Sequence, residues 1–94
     1  MGKIFNGSKD ILGNVDLESV FTGPGELGLI TFWKDVDGGT VQLFDGDGVA
    51  IFPAGVTDYP GSFHCPKKVW NGCKITTTGF VGGRLTLFYN KSAA

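Results

Sequence analysis

Residues 22–52, TGPGELGLITFWKDVDGGTVQLFDGDGVAIF, decide the fold, because they hold three apolar runs separated by clusters of glycine and aspartate. Each run is too short for a helix and ends at residues that favour turns, which is the pattern of β-strands. The runs therefore predict strands over residues 27–34, 40–45 and 49–52, joined in chain order as an antiparallel meander.

The first of these strands carries apolar side chains on both of its faces. Side chains alternate along a strand, so one face would hold Leu27, Leu29, Thr31 and Trp33, and the other Ile30 and Phe32. A sheet that is covered on one side needs only one apolar face. We therefore expect this strand to be covered on both faces, by a second sheet or by a partner chain.

The rest of the chain supplies further short strands and no helical pattern. Runs over residues 15–21, 62–70, 73–78 and 84–90 predict strands, and the prolines within residues 53–61 predict a connection. Alternation over residues 15–21 predicts a half-buried strand with Val15, Leu17, Ser19 and Phe21 on one face. Together these segments predict an all-β fold of about seven to eight strands, an antiparallel β-sandwich with jelly-roll-like or Greek-key connections.

The first fourteen residues differ in character from the rest. Residues 1–14 mix apolar pairs with turn residues, which predicts an N-terminal arm with at most a short edge strand. The β-sandwich domain would then span residues 15–94.

The length of the chain favours association with other copies. Its 94 residues make one domain, near the size at which a single core gives only marginal stability. No apolar stretch approaches the roughly 20 residues of a membrane span, and the first residues lack the apolar segment of a secretory signal. We therefore expect a homo-oligomer that folds in a cytoplasm and has no membrane partner.

Charge is divided unevenly along the chain, although its net value is only −1. Residues 1–58 carry all nine acidic residues and three lysines, a net charge of −6, and the remainder carries five basic residues and no acidic one. The two parts either interleave and cancel over the surface, or form an acidic edge and a basic edge that meet between subunits. The candidate oligomer interface comprises Ile30, Phe32, Trp33, Lys67, Lys68 and Trp70.

The two cysteines flank a strong hairpin signal at Trp70, Asn71 and Gly72. A three-residue loop would pair Val69 with Cys73, and a two-residue loop would pair Trp70 with Cys73. Neither register brings Cys65 within the roughly 7 Å that a disulfide allows between Cα atoms. We therefore expect two free thiols, as in a reducing compartment.

Two segments resemble the start of a calcium loop, where alternate carboxylates converge on a cation. They are Asp35-Val36-Asp37-Gly38 and Asp45-Gly46-Asp47-Gly48. Neither continues to the later bidentate glutamate, and aspartate and glycine are also the residues that turns between strands require. The turn interpretation is therefore favoured, with no metal and no cofactor.

His64 and Cys65 are neighbours on a predicted strand, so their side chains should point to opposite faces. They do not make a nucleophile and base pair or a zinc site, and no catalytic residue or enzymatic activity is expected. His64, Lys67, Lys68 and Trp70 mix basic and aromatic groups, but the aromatic residues do not interleave along several strands, so we expect no nucleic-acid partner.

Several segments, in this order along residues 20–90, resemble small β-sandwich structural proteins of tailed bacteriophages. The segments are residues 21–27 (FTGPGEL), 29–32 (LITF), 39–46 (GTVQLFDG), 63–66 (FHCP), 70–72 (WNG) and 85–89 (LTLFY). In that family a TGPG-leucine turn opens a strand and the chain closes on an alternating strand. This chain departs from the pattern at Cys73, where an aliphatic residue is usual, and at Phe44.

The resemblance implies a virion component, in particular a head decoration or cement protein that sits on the capsid exterior as an oligomer, often a trimer. Its partners would be its own copies and the major capsid protein, in a virion assembled in the host cytoplasm. The N-terminal arm is the expected capsid contact, through Ile4, Phe5, Ile11 and Leu12. The alternative is a carbohydrate- or host-surface-binding module, a tail or receptor-binding component, that uses Trp33 or Trp70 as a stacking platform.

Overall fold

The computed structural model describes residues 5–34, 36, 39–56 and 61–92, without the side chains of residues 52–56 and 61–66. Eight strands make up the fold: β1 (Gly7–Leu12), β2 (Val15–Phe21), β3 (Gly25–Lys34), β4 (Thr40–Asp45), β5 (Ala50–Val56), β6 (Gly61–Val69), β7 (Cys73–Thr78) and β8 (Arg84–Lys91). They form two four-stranded sheets with the orders β1-β8-β3-β6 and β2-β7-β4-β5. All ladders are antiparallel, and the two sheets make a β-sandwich with jelly-roll connections.

The chain is folded back on itself at the turn between β4 and β5. From this turn outward, β4 pairs with β5, β3 with β6, β2 with β7 and β1 with β8. The two remaining ladders, β3 with β8 and β4 with β7, complete the sheets. Every ladder therefore joins a strand of the first half of the chain to a strand of the second half.

Hydrogen bonds to the carboxylate of Asp45 stabilise the turn between β4 and β5. Its Oδ1 atom accepts hydrogen bonds from the backbone N–H groups of Asp47 at 2.9 Å and Val49 at 3.0 Å. Gly48 has a φ of 83°, which a residue with a side chain rarely adopts. The tight reversal thus depends on the aspartate and glycine residues of this segment.

Two sequence-based expectations about local pairing are wrong. The meander does not form, because β3 lies in one sheet while β4 and β5 lie in the other. The hairpin at Trp70 does not form either, because Val69 pairs with Gly25, whereas Cys73 pairs with Phe21 and Asp45. Residues 70–72 instead carry the chain from one sheet to the other.

The core fills the space between the inner faces of the two sheets. Among the described side chains, fourteen buried apolar residues form it: Ile11, Val20, Phe21, Leu27, Ile30, Phe32, Val41, Leu43, Val69, Cys73, Ile75, Phe80, Leu85 and Leu87. A bulge in β3 between Leu27 and Leu29 changes the alternation. Leu27 therefore points inward with Ile30 and Phe32, and not outward as strict alternation predicts.

Strand β2 also departs from strict alternation. Register shifts occur between Val15 and Glu18 and between Ser19 and Phe21. Leu17 lies in the first of these irregular segments with a φ of 49° and is exposed, while both Val20 and Phe21 are buried. The half-buried strand expected from alternation is thus a bulged edge strand, which discourages pairing with other chains.

The expected arm is in part a strand of the sandwich. Gly7–Leu12 forms β1, which pairs with β8 along its whole length. The side chain of Asn6 extends this pairing, since its Nδ2 donates to the carbonyl of Lys91 at 3.0 Å and its Oδ1 accepts from Lys91 N at 2.8 Å. The sandwich therefore begins by residue 7, and not at residue 15.

Strand β5 continues through Pro53 to Val56, where a connection was expected. It lies at the edge of its sheet, where a residue without an N–H group is tolerated. Cys73 is buried in the core, where its thiol donates to the carbonyl of Lys74, and the expected pair of free thiols stays a prediction. The side chain of Cys65 lies outside the described residues.

Ile11 and Leu12 give a matched pair of substitutions that tests the position of β1. Ile11 is 2% exposed and Leu12 is 67% exposed. Ile11→Ala should lower the free energy of unfolding by about 2–5 kcal/mol, because it leaves a cavity in the core. Leu12→Ala should change it by less than about 0.5 kcal/mol. Urea denaturation followed by circular dichroism measures both, and equal effects would contradict the inward position of Ile11.

Candidate functional site

The six candidate interface residues divide into two groups. Ile30 and Phe32 lie in the core, because the second sheet covers the face of β3 that carries them. They are therefore unavailable to a partner chain, and their assignment to an interface is wrong. The other four, Trp33, Lys67, Lys68 and Trp70, are exposed.

The four candidate capsid contacts differ in their exposure to solvent. Ile11 belongs to the core and cannot contact a capsid. Leu12 is exposed, and Ile4 lies outside the described residues. Phe5 is half-buried on the outer face of the first sheet, where its ring lies 5.9 Å from that of Phe88, between centroids.

The exposed aromatic residues lie at opposite ends of the sandwich. Trp70 follows Val69, which pairs with Gly25 at the start of β3, whereas Trp33 lies eight residues further along that strand. At roughly 3.3 Å per residue the two positions are about 26 Å apart. Trp33 is 58% exposed and Trp70 is 82% exposed, but they do not form one aromatic row.

Trp33 belongs to a cluster of four side chains on the outer face of the first sheet, which we call the Trp33 site: Trp33, Thr86, Asp10 and Arg84. The indole Nε1 donates to the hydroxyl of Thr86 at 2.8 Å. That hydroxyl donates to Asp10 Oδ1, and Arg84 Nη2 donates to Asp10 Oδ2 at 3.2 Å. The guanidinium carbon of Arg84 lies 5.8 Å from the centroid of the Trp33 ring, which is within cation–π range.

Strand pairing brings these residues together. Asp10 of β1 lies opposite Thr86 of β8, which lies opposite Thr31 of β3. A register shift between Phe32 and Lys34 leaves Trp33 at an irregular point of the ladder. Bulges of this kind redirect side chains, and here the indole reaches across to β8.

The pKa of Asp10 is lowered from its ordinary value of 3.8. The main cause is the hydrogen bond from Thr86, and the hydrogen bond and positive charge of Arg84 act in the same direction. The carboxylate is thus ionised across the neutral range. It can accept further hydrogen bonds, because each oxygen has a second lone pair.

The opposite end of the sandwich, the Trp70 end, contains the turn at residues 46–49 and the crossing at residues 70–72. Asn71 ties them together, since its Nδ2 donates to Asp47 Oδ2 and its Oδ1 accepts from Gly46 N at 3.3 Å. A side chain at Gly46 would collide with the backbone of Asn71. The exposed Trp70 and Val49 therefore sit on two loops that are held against each other.

Of the two aspartate segments, only residues 45–48 are fully described, and the hydrogen bonds of their carboxylates are those of a turn. Asp45 caps its own turn and Asp47 accepts from Asn71, as the turn interpretation expects. Asp35 and Asp37 lie outside the described residues. Within the described part of the chain, no three His, Cys, Asp or Glu residues are grouped as metal ligands. Nor does that part contain a helix long and apolar enough to cross a membrane.

The fold interleaves the acidic and basic parts of the chain. Arg84 pairs with Asp10 across the β1–β8 ladder. Lys68 lies opposite Glu26 in the β3–β6 ladder. These pairs favour cancellation of the two charged parts within one molecule, and an acidic edge meeting a basic edge between subunits stays a prediction.

Sequence reasoning identified Trp33 but missed the other three members of the Trp33 site. Thr86 and Arg84 lie 76 and 74 residues from Asp10, so no local pattern joins them. Pairing the first strand with the last would have placed Asp10 beside Thr86. The assignment of residues 1–14 to an arm hid that signal.

The comparisons with known proteins give no relative. No protein-family model, curated protein or solved structure matches this chain.

The hydrogen bond from Thr86 should set the pKa of Asp10. Because the folded-state pKa is lowered, the ionised carboxylate stabilises the fold above pH 3.8, and this contribution is lost as the pH falls through the folded pKa. Thr86→Val should raise the pKa of Asp10, and by more than Arg84→Gln does. Carboxyl-carbon NMR titration measures both. An unchanged pKa in Thr86→Val would contradict the described hydrogen bond.

Proposed function

We propose that this chain is a bacteriophage virion structural protein, a decoration or cement protein that oligomerises on the capsid exterior. The family resemblance over residues 20–90 suggests the virion, and the jelly-roll sandwich suits such a role, since viral capsid domains use this architecture. Fold alone does not define a function. The support from the molecule itself is the surface that the closed core leaves exposed.

The observation that carries the proposal is the exposed apolar surface at the Trp70 end. The inner faces of both sheets are already filled by one chain's own residues. Trp70 and Val49 nevertheless remain 82% and 61% exposed on loops that hydrogen bonds hold together. A fixed apolar surface of this kind is typical of a protein–protein contact.

The positions of two lysines and of the N-terminal residues also favour the Trp70 end as the assembly surface. Lys67 and Lys68 are exposed on β6 just before Trp70. The chain enters the sandwich near this end too, because Asn6 is bonded to Asn90 and Lys91 at the end of β8. We propose that Phe5, which directly precedes Asn6, contacts the capsid beside the subunit interface. Burial of these groups would make separation of the assembled subunits cost more free energy.

A carbohydrate- or host-surface-binding module is the second candidate. The exposure of Trp33 beside an ionised aspartate and an arginine favours it. The distance between the two tryptophans argues against an extended glycan bound along both rings. The two candidates also use different ends of the sandwich, so they can be tested separately.

Light scattering at micromolar concentration tests the oligomer. The purified protein should have the mass of an oligomer, and we expect a trimer. Trp70→Asp should give monomers, because a charge would then be buried at the interface. Lys67→Glu with Lys68→Glu should weaken the oligomer, and high salt should do the same if these lysines face acidic groups. Trp33→Ala is the matched control and should leave the mass unchanged, because the interface proposed here lies at the Trp70 end and does not include Trp33, although the sequence nominated it.

Two outcomes would count against the proposal. If the wild-type protein has the mass of a single 94-residue chain, the prediction that it forms an oligomer is wrong. Phage particles whose genome encodes this chain, but which lack the protein, should lose integrity at a lower temperature than complete particles. If particles with and without the protein are equally heat-stable, a tail or receptor-binding role is favoured over capsid decoration.

A further inference from the structure

We propose that the Trp33 site binds a neutral pyranose ring, with the ring's C–H face against the Trp33 indole and its hydroxyls on Asp10 and Arg84. The inference rests on the arrangement of these side chains, and does not depend on the oligomer or on the capsid.

The indole is held in one orientation although it is exposed. Its only polar atom, Nε1, is already used in the hydrogen bond to Thr86. Thr86 is itself 5% exposed, so the indole is tied to a buried group of the neighbouring strand. What remains for solvent or a ligand is the apolar surface of the ring that Arg84, 5.8 Å from the ring centroid, leaves uncovered. Little conformational freedom is lost when a ligand stacks on that surface.

A hydrogen-bond acceptor and a hydrogen-bond donor lie beside the exposed surface of the indole. The side chains of Asp10 and Arg84 are 52% and 49% exposed. The carboxylate oxygens have lone pairs beyond those that bind Thr86 and Arg84, and the guanidinium has further N–H donors. A fixed acceptor and a fixed donor are thus placed together next to an aromatic face.

This combination matches the chemistry of a sugar ring. A pyranose has an apolar face of C–H groups and a rim of hydroxyls, each of which both donates and accepts hydrogen bonds. Aromatic stacking with a few placed polar groups is a common plan for small-ligand sites. A flat anion is less suited, because Asp10 would repel it, and a cation would compete with Arg84 for the carboxylate.

The strand irregularity at Trp33 supports a binding role. The register shift between Phe32 and Lys34 turns the indole across β8, at the cost of regular pairing. Inward packing is not the reason, because Trp33 stays 58% exposed. Bulges are frequent beside functional sites for this reason.

Two-dimensional ¹H–¹⁵N NMR tests the proposal, because the indole N–H signals of Trp33 and Trp70 report on the two ends of the sandwich separately. The probes are methyl β-galactoside, methyl β-glucoside and N-acetylglucosamine. At least one should shift the Trp33 signal saturably, with a Kd on the order of 1 mM for so few contacts. The Trp70 signal should not move.

Three variants complete the experiment. Trp33→Ala should abolish the saturable shifts at the amides of β1 and β8, and Trp70→Ala, the matched control, should keep them. Asp10→Asn should raise the Kd about tenfold, because a charged acceptor is lost. The amide spectrum of each variant reports whether it is folded.

The proposal is overturned if no probe shifts the Trp33 signal up to about 50 mM, far above the expected Kd. It is also overturned if binding survives in Trp33→Ala or is lost equally in Trp70→Ala. Light scattering on the same samples separates this result from the test of assembly, since the oligomer is expected to tolerate Trp33→Ala.

Discussion

Each of the eight strands that the structure describes is hydrogen-bonded to strands from the other half of the chain, and the remaining features of the molecule follow from that constraint. The reversal at residues 46–49 divides β1–β4 from β5–β8, and all six ladders cross that division. Neither half can therefore form a sheet alone. The contacts that define the fold are distant in sequence, which predicts slow folding for a chain of this size.

The same pairing accounts for the electrostatics. Because the first half is acidic and the second basic, cross-half ladders bring unlike charges together, as at Asp10 with Arg84 and at Glu26 with Lys68. Exposed pairs of this kind contribute little to stability. A further ion pair, between Lys9 and Glu18 at 3.3 Å, lies within the first half, so unlike charges also meet without crossing the division.

The sequence predicted the strands well because each is bounded by turn residues. The ranges 40–45 and 73–78 agree with β4 and β7. The second sheet covers only the face of β3 that carries Ile30 and Phe32, and coverage of the other face, which the two-sided apolar pattern also predicted, stays a prediction. Pairing was predicted poorly, since turn signals such as Asn71-Gly72 are local and the ladders are not. The bulges in β2 and β3 also escaped, because strict alternation gives no sign of an extra residue, and Leu17 and Leu27 were misplaced for that reason.

The candidate site was predictable only in part for the same reason. Exposed tryptophans could be nominated from the sequence, but their neighbours depend on which strands pair. In the fold, Trp33 acquires Thr86 and, through it, Asp10 and Arg84, whereas Trp70 lies on a loop fixed against the β4–β5 turn. Two residues of the same type thus have surroundings suited to different partners. We propose assembly at one end of the sandwich and binding of a small ligand at the other.

Backbone nuclear Overhauser effects test the cross-half pairing most directly. The jelly-roll fold requires contacts between the backbones of Thr31 and Thr86 and of Leu43 and Ile75, which are partners in the β3–β8 and β4–β7 ladders. The same fold excludes strand contacts between Lys67 and Ile75, which lie in different sheets. Contacts between Lys67 and Ile75, without those between Thr31 and Thr86, would show a local hairpin and would rule out the cross-half pairing.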